Sequence, residues 1–273
     1  MDYFLAILAG GLQGVTEFLP ISSSGHLILF HDLLHFNLPD DLFFDVILHL
    51  GTLVAIFVYF YQDIKKIFFG FFSSFFNWNL RNDYDQRLAW FVIIGTIPAA
   101  IAGLFLGKFI DGVFRSPVLV AVMFIIVGLL FFVVEKYSKH NNRENSSLNI
   151  KDVLFIGCAQ AVALIPGTSR SGISIIAGLG RKLKREEAAK FSFLLSVPAI
   201  ALAGVSKAVK ISNWQESNFL ILFLGFGTSA VVGYLAVKYL MKYLSHHSLN
   251  VFGWYRIIVG AVILALAIIY SIK

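Results

Sequence analysis

Gly10 to Ile28 reads GGLQGVTEFLPISSSGHLI, and Gly157 to Ile175 reads GCAQAVALIPGTSRSGISI. The two segments lie 147 residues apart and align without gaps. Gly10 pairs with Gly157, Gln13 with Gln160, Val15 with Val162, Ser22 with Ser169, Ser24 with Ser171, Gly25 with Gly172 and Ile28 with Ile175, seven identities in nineteen positions. Both are apolar but interrupted, the first at Pro20 and its three serines, the second at Pro166 and Gly167. Proline removes a backbone donor and breaks a helix. Broken helices at matching positions in two halves of a chain indicate a duplicated membrane unit.

Composition supports that setting. Of 273 residues, 58% are apolar and 14% charged, 28 are Phe, the net charge is +6 and the mean hydropathy is +0.79. These values exclude a disordered chain and argue against an ordinary soluble domain. The charge is too sparse for a nucleic-acid partner. The single Cys158 excludes an internal disulfide framework and a multi-cysteine metal site. Six apolar stretches, about 43–61, 88–107, 118–134, 191–207, 218–237 and 251–270, are long enough to cross a hydrocarbon layer as helices. The stretches 3–35 and 150–180 read as interrupted.

The expected fold is an all-α polytopic membrane protein with six transmembrane helices plus two re-entrant broken-helix hairpins in an inverted-topology repeat. It forms one domain over 1–273, with halves of about 1–140 and 150–273. An odd number of spans per half inverts the second half, so the hairpins dip in from opposite leaflets and their tips meet near the midplane.

Lys and Arg set the orientation. With the N-terminus outside, segments 62–87, 135–151, 181–190 and 238–250 are cytoplasmic and hold fifteen of the 22 cations. Lys108, Arg115, Lys207, Lys210 and Lys273 remain outside, and Arg170 and Arg256 fall within membrane segments. No basic N-terminal region or A-x-A-like site marks a cleaved signal peptide, so the first segment is expected in the mature chain.

Irregular backbone at membrane depth requires protein or water to satisfy its polar groups. Ser22, Ser23 and Ser24 can cap a new helix after Pro20; Thr168, Ser169, Arg170, Ser171 and Gly172 follow the second break. Helix starts favour anions, phosphate especially. A cation at the depth of Arg170 costs about 2.5–3.5 kcal/mol on the lenient insertion scale. Its two readings are an ion pair with Glu17 and a guanidinium fork on phosphate oxygens. Gln13 and Glu17 share a helical face. A carboxylate, serines and His26 within ten residues provide an acid–base and nucleophile set.

Weaker signals complete the reading. His31, Asp32 and His35 have spacing compatible with a metal but are expected to face water or headgroups. Asp45 and His49 are expected to pair with each other four residues apart. Arg256 is expected to snorkel, and the Phe run at 68–76 to be an interfacial or packing segment.

The run Gln13-Gly14-Val15-Thr16-Glu17-Phe18-Leu19-Pro20-Ile21-Ser22-Ser23-Ser24-Gly25-His26, followed by Pro166-Gly167-Thr168-Ser169-Arg170-Ser171-Gly172, strongly resembles the bacterial undecaprenyl-diphosphate phosphatases, the bacitracin-resistance family. The likeness covers the whole chain. It implies removal of the terminal phosphate of undecaprenyl diphosphate at the outer face of the bacterial plasma membrane, recycling the lipid carrier of cell-wall synthesis. It also implies a divalent cation, magnesium or calcium, with Glu17 as a ligand. The resemblance makes Glu17, Ser23, His26 and Arg170 catalytic and implies phosphate contacts from Thr168 and Ser169; Gln13, Ser22, Ser24 and Ser171 complete the candidate phosphate-binding set. Many members carry Glu where this sequence has Gln13, which puts an acid–base role at 13 in doubt and leaves Glu17 as the essential carboxylate. Expected partners are the polyprenyl diphosphate and membrane lipids, with a homodimer kept open.

Two other readings compete. Ser24-Gly25-His26 and Ser169-Arg170 are similar to motifs of the phosphatidic-acid phosphatase superfamily, but no Lys or Arg precedes Lys65 and no His lies between Arg170 and His246. The stronger alternative is a polyprenyl-phosphate flippase or transporter using the same midplane phosphate site.

Overall fold

The computed structural model describes residues 2–34, 36, 41–113, 116–208 and 218–271. Of the cations assigned to the outside, Arg115, Lys210 and Lys273 lie beyond these residues, as do the side chains of Lys108 and Lys207; His35 is likewise outside them. Eleven α-helices and one 3-10 turn make up the described chain, with no strand among them. The protein is an all-α polytopic membrane protein.

The first interrupted stretch forms α1 (Asp2–Phe18) and α2 (Ser23–Leu34), and the second forms α7 (Ile150–Val162) and α8 (Arg170–Gly180). Between them run α3 (Asp41–Tyr59), α4 (Tyr61–Ser74), α5 (Tyr84–Val113) and α6 (Pro117–Ser138); α9 (Arg185–Ala208), α10 (Phe219–Leu244) and α11 (Asn250–Ser271) follow. Five helices, α5, α6, α9, α10 and α11, are long and apolar enough to cross a membrane. The sixth candidate is α3 with α4, and it is bent by 87° at Phe60. The expected span 43–61 therefore ends at the bend. The Phe run forms α4, with Gly70 and Ser74 buried and Phe68, Phe69, Phe72 and Phe75 exposed. Trp90 of α5 donates to Ser74 Oγ at 3.1 Å and anchors α4.

Packing repeats between the halves. Helix α1 lies along α10 as α7 lies along α5, and α3 meets α9 while α6 meets α11. The crossings are close because they use glycine. A Cβ on Gly10 would sit 2.5 Å from the Gly225 carbonyl oxygen, and one on Gly157 would strike the Gly95 carbonyl. Phe18, Ile56, Phe60, Phe191 and Phe193 fill the core where α1, α3 and α9 converge. Leu104, Phe105 and Phe219 face outward at about 80% exposure, as lipid-facing residues do.

Ion pairs join the segments expected in the cytoplasm. Asp152, fully buried near the start of α7, accepts from Arg143 at 2.7 Å and Arg181 at 2.5 Å. Arg185 holds Glu135 at 2.6 Å, Lys190 holds Asp63 at 2.7 Å, and Lys184 holds Glu144 at 2.8 Å. The Lys184 hydrogen bond keeps the exposed Glu144 carboxyl below its ordinary value.

Candidate functional site

Both hairpins turn on the same backbone device. Ser22 has φ 78° and Ser169 has φ 73°, a conformation that strains any residue with a Cβ and that clusters at functional sites. Each serine then caps the next helix: Ser22 Oγ accepts from Gly25 N at 3.4 Å, and Ser169 Oγ from Gly172 N at 3.1 Å. Their hydroxyls also contact Ser24 Oγ at 3.4 Å and Ser171 Oγ at 3.2 Å, respectively. Gly167 makes the second turn possible; at φ 89° a Cβ there would lie 2.8 Å from the Val120 carbonyl oxygen.

The tips meet. Ser171 Oγ donates to the Leu19 carbonyl at 3.4 Å, and Arg170 donates from Nη2 to Glu17 Oε1 at 2.7 Å. The other oxygen of Glu17 accepts from Ser23 Oγ at 2.7 Å and from Gln13 Nε2 at 3.0 Å. Glu17 is 7% exposed, so this carboxylate exists by virtue of its partners. Arg170 also donates from Nη1 to the Ser192 carbonyl at 3.2 Å. These bonds use two of the five guanidinium donors. Ser174 Oγ braces the helix start by donating to the Arg170 carbonyl at 2.6 Å and contacting Ser192 Oγ at 2.6 Å.

Arg256 overturns its expectation. It is fully buried, not snorkelling, and lies six residues into α11. Its guanidinium donates to Pro20 O of the first tip at 3.3 Å, and to Gly167 O at 2.6 Å and Thr168 O at 3.2 Å of the second. Phe124 lies under it, 4.9 Å from the ring centroid. One side chain thus fastens both tips.

Asp45 and His49 do not pair through their side chains. His49 Nδ1 donates to its own Asp45 carbonyl at 2.7 Å, and Nε2 faces Glu17 Oε2 at 3.5 Å. Asp45 instead accepts from His31 Nε2 at 3.2 Å. The i, i+4 rule failed because each side chain met a partner on another helix. His49 is thus a site neighbour that sequence reasoning missed, and its signal was an ionisable group in a span.

The remaining site candidates separate. His26 does not touch Ser23. Its Nδ1 contacts the Ser22 carbonyl at 2.8 Å, which makes this nitrogen the donor, and Nε2 accepts from Tyr255 Oη at 2.7 Å. Ser24 is exposed, whereas Thr168 is fully buried with no partner for Oγ1 among the described residues. Gln13 Oε1 is likewise buried without a partner. Among the described residues no three His, Cys, Asp or Glu gather at one point; the set His31, Asp32 and His35 includes a residue outside them.

Fold and site define an all-α membrane protein that brings two helix starts, one guanidinium and one carboxylate–serine pair to a single buried point suited to a phosphate group. Comparison with known sequences agrees. The family described as Bacitracin resistance protein BacA matches residues 6–262. An "Undecaprenyl-diphosphatase 2" of Stutzerimonas stutzeri is 45% identical, covering 97% of this chain and 98% of its own length. The "Undecaprenyl-diphosphatase" of Rubrobacter xylanophilus is 41% identical over 98% and 100%, and that of Caldicellulosiruptor bescii 40% identical over the full length of both. The chain belongs to the BacA bacitracin-resistance family.

Proposed function

We propose that this protein is a membrane phosphatase that hydrolyses undecaprenyl diphosphate to undecaprenyl phosphate and inorganic phosphate. The supporting observation is the chain Ser23 Oγ to Glu17 Oε2 and Glu17 Oε1 to Arg170, which sets a nucleophile, its base and an anion-holding cation at one buried point. The relatives' names point to the same reaction, and none favours a carrier.

The polyprenyl tail stays in lipid while the diphosphate enters between the tips, under the starts of α2 and α8. Arg170 and the two helix starts hold its charge, with Thr168, Ser169, Ser22, Ser24, Ser171 and Gln13 as the phosphate-binding set. Ser23 Oγ attacks the terminal phosphorus in line. An Oγ–P bond forms as the bond from that phosphorus to the bridging oxygen breaks, and the electron pair leaves on undecaprenyl phosphate. Glu17 takes the serine proton. Water then attacks the phosphoserine, the Oγ–P bond breaks, Ser23 regains a proton and hydrogenphosphate departs. His26, bonded to Tyr255, stands beside the helix start and orients the approach.

The donor set fits a magnesium- or calcium-type cation. Glu17 supplies the carboxylate and Gln13 Oε1 is a buried oxygen in need of a partner, while such ions take further oxygens from substrate phosphate. The ion would neutralise charge on the diphosphate. The site opens to the periplasm or cell exterior of the bacterial inner membrane, the two halves form an inverted repeat, and a homodimer is compatible with this arrangement. Phosphate release from polyprenyl diphosphate in detergent, where no compartments exist, tests the reading. An enzyme turns over repeatedly; a carrier releases none. Ser23→Ala is expected to lower kcat at least about 100-fold, and near-normal turnover would exclude the covalent serine.

A further inference from the structure

Toward the end of its span, α6 passes from apolar to charged along a single face. Phe132, Glu135, Lys136 and Lys139 recur at helical spacing and line up on that face. They form one wall of a cavity of about 400 Å³, whose other sides include Arg185 at the start of α9 and Asn250 at the start of α11. Phe124, which underlies Arg256 at the hairpin tips, precedes this stripe on the same helix. The helix rise from Phe124 to the stripe is about 12–23 Å, so the cavity is separate from the tips and lies at the membrane face expected to be cytoplasmic.

The charges of the wall are not all free. Arg185 holds Glu135 at 2.6 Å, and the other oxygen of Glu135 accepts from Leu249 N at 2.8 Å, so this pair cancels and ties α6, α9 and the α10–α11 turn together around the opening. Lys136 and Lys139 are exposed and have no acidic partner among the described residues, which leaves the cavity positively charged. Asn250 Oδ1 is buried at the same cavity and accepts no hydrogen bond among the described residues. At the apolar end, Phe132 packs edge-on against Trp254 with ring centroids 5.1 Å apart. Trp254 and Tyr137 are 60% and 77% exposed, and such aromatic side chains at the end of a span mark the level of lipid headgroups.

We infer that this cavity seats the headgroup of an anionic phospholipid of the adjacent leaflet, one whose phosphodiester carries a hydroxyl-bearing alcohol such as glycerol. Basic pockets between transmembrane helices suit phosphate headgroups in this way. Lys136 and Lys139 meet the phosphodiester, a headgroup hydroxyl donates to Asn250 Oδ1, and the acyl chains run past Phe132 and Trp254 into the bilayer. A free phosphate would use the two lysines and leave the apolar end of the stripe unmatched. The seat is distinct from the proposed reaction and does not depend on it.

The test titrates full-length protein in detergent with dioleoyl phosphatidylglycerol and reads the lipid retained by native mass spectrometry. Lys136→Gln/Lys139→Gln is expected to weaken retention about 30-fold. Lys65→Gln/Lys66→Gln removes the same charge from exposed positions of α4 at the same face and should change retention less than about threefold. Wild type should hold phosphatidylglycerol about fivefold more tightly than phosphatidylmethanol, which has the charge without a headgroup hydroxyl, and Asn250→Leu should remove that preference. Equal losses in the two double variants would show a diffuse attraction of the basic face and overturn the inference. Equal affinity for glycerol 3-phosphate would make the occupant a soluble phosphate and overturn the lipid assignment, and equal retention of the two lipids by wild type would overturn the role of Asn250. Size-exclusion elution matching wild type separates these outcomes from misfolding.

Discussion

In the first hairpin the capping Ser22 is followed by Ser23, Gly25 and His26; in the second the capping Ser169 is followed by Arg170, Gly172 and Ile173. Strained serine, cap and glycine recur at the same offset, so the two hairpins share one way of starting a helix. The side chains differ. Glu17 corresponds to Leu164, Ser23 to Arg170, His26 to Ile173 and His49 to Ser196. In the proposed reaction one hairpin carries the groups that move protons and attack, and the other carries the positive charge. The proposal thus assigns two similar backbone cradles to a reacting half and a holding half.

The strongest way to break this comparison is to remove the charge from the holding half. Arg170→Ala strips Glu17 of its ion pair and the substrate of its cation, and kcat/KM should fall at least about 1,000-fold, read as phosphate release. Glu17→Gln should do the same from the reacting half. Arg256→Met comes next and should affect both hairpins at once, because carbonyls of Pro20, Gly167 and Thr168 lose their donor. A stability loss of about 3 kcal/mol or more is expected, with hydrogen exchange rising at residues 20–25 and 166–172 together. Exchange rising in one hairpin alone would show that Arg256 does not couple them.

Ser22→Ala and Ser169→Ala sharpen the likeness. Each loses a cap and keeps a Cβ at positive φ, so thermal unfolding should report similar losses of about 1–2 kcal/mol. The smallest effect separates the two glutamines. Gln13 donates to Glu17, whereas the buried Gln160 faces a position where Glu17 has become Leu164, and it has no partner among the described residues. Gln13→Leu should lower turnover about tenfold. Gln160→Leu should leave turnover unchanged and raise stability by about 1 kcal/mol.

Much of this was legible in the sequence because membranes penalise polar groups severely. The broken stretches, the spans of α5, α6, α9, α10 and α11, and the meeting of Glu17 with Arg170 follow from apolar length and from the cost of an isolated Arg170. The bend at Phe60 was hidden, since Asp63, Lys65 and Lys66 mark the end of an apolar run but do not show that the chain continues as a helix turned aside by 87°. Arg256 was misread because proximity to a span's end says nothing about which face the side chain takes; six residues of helix rise about 9 Å, enough to reach the tips. His49 was paired within its own helix because sequence spacing shows neighbours on one helix and not those contributed by another.

A structure with a non-hydrolysable polyprenyl diphosphate analogue, methylene replacing the bridging oxygen, is the most direct test. The account predicts the terminal phosphorus about 3–3.5 Å from Ser23 Oγ, in line with the bridging carbon, with Arg170 on the same phosphate and both helix starts directed at it. A diphosphate bound away from Ser23, or held without Arg170, would contradict it.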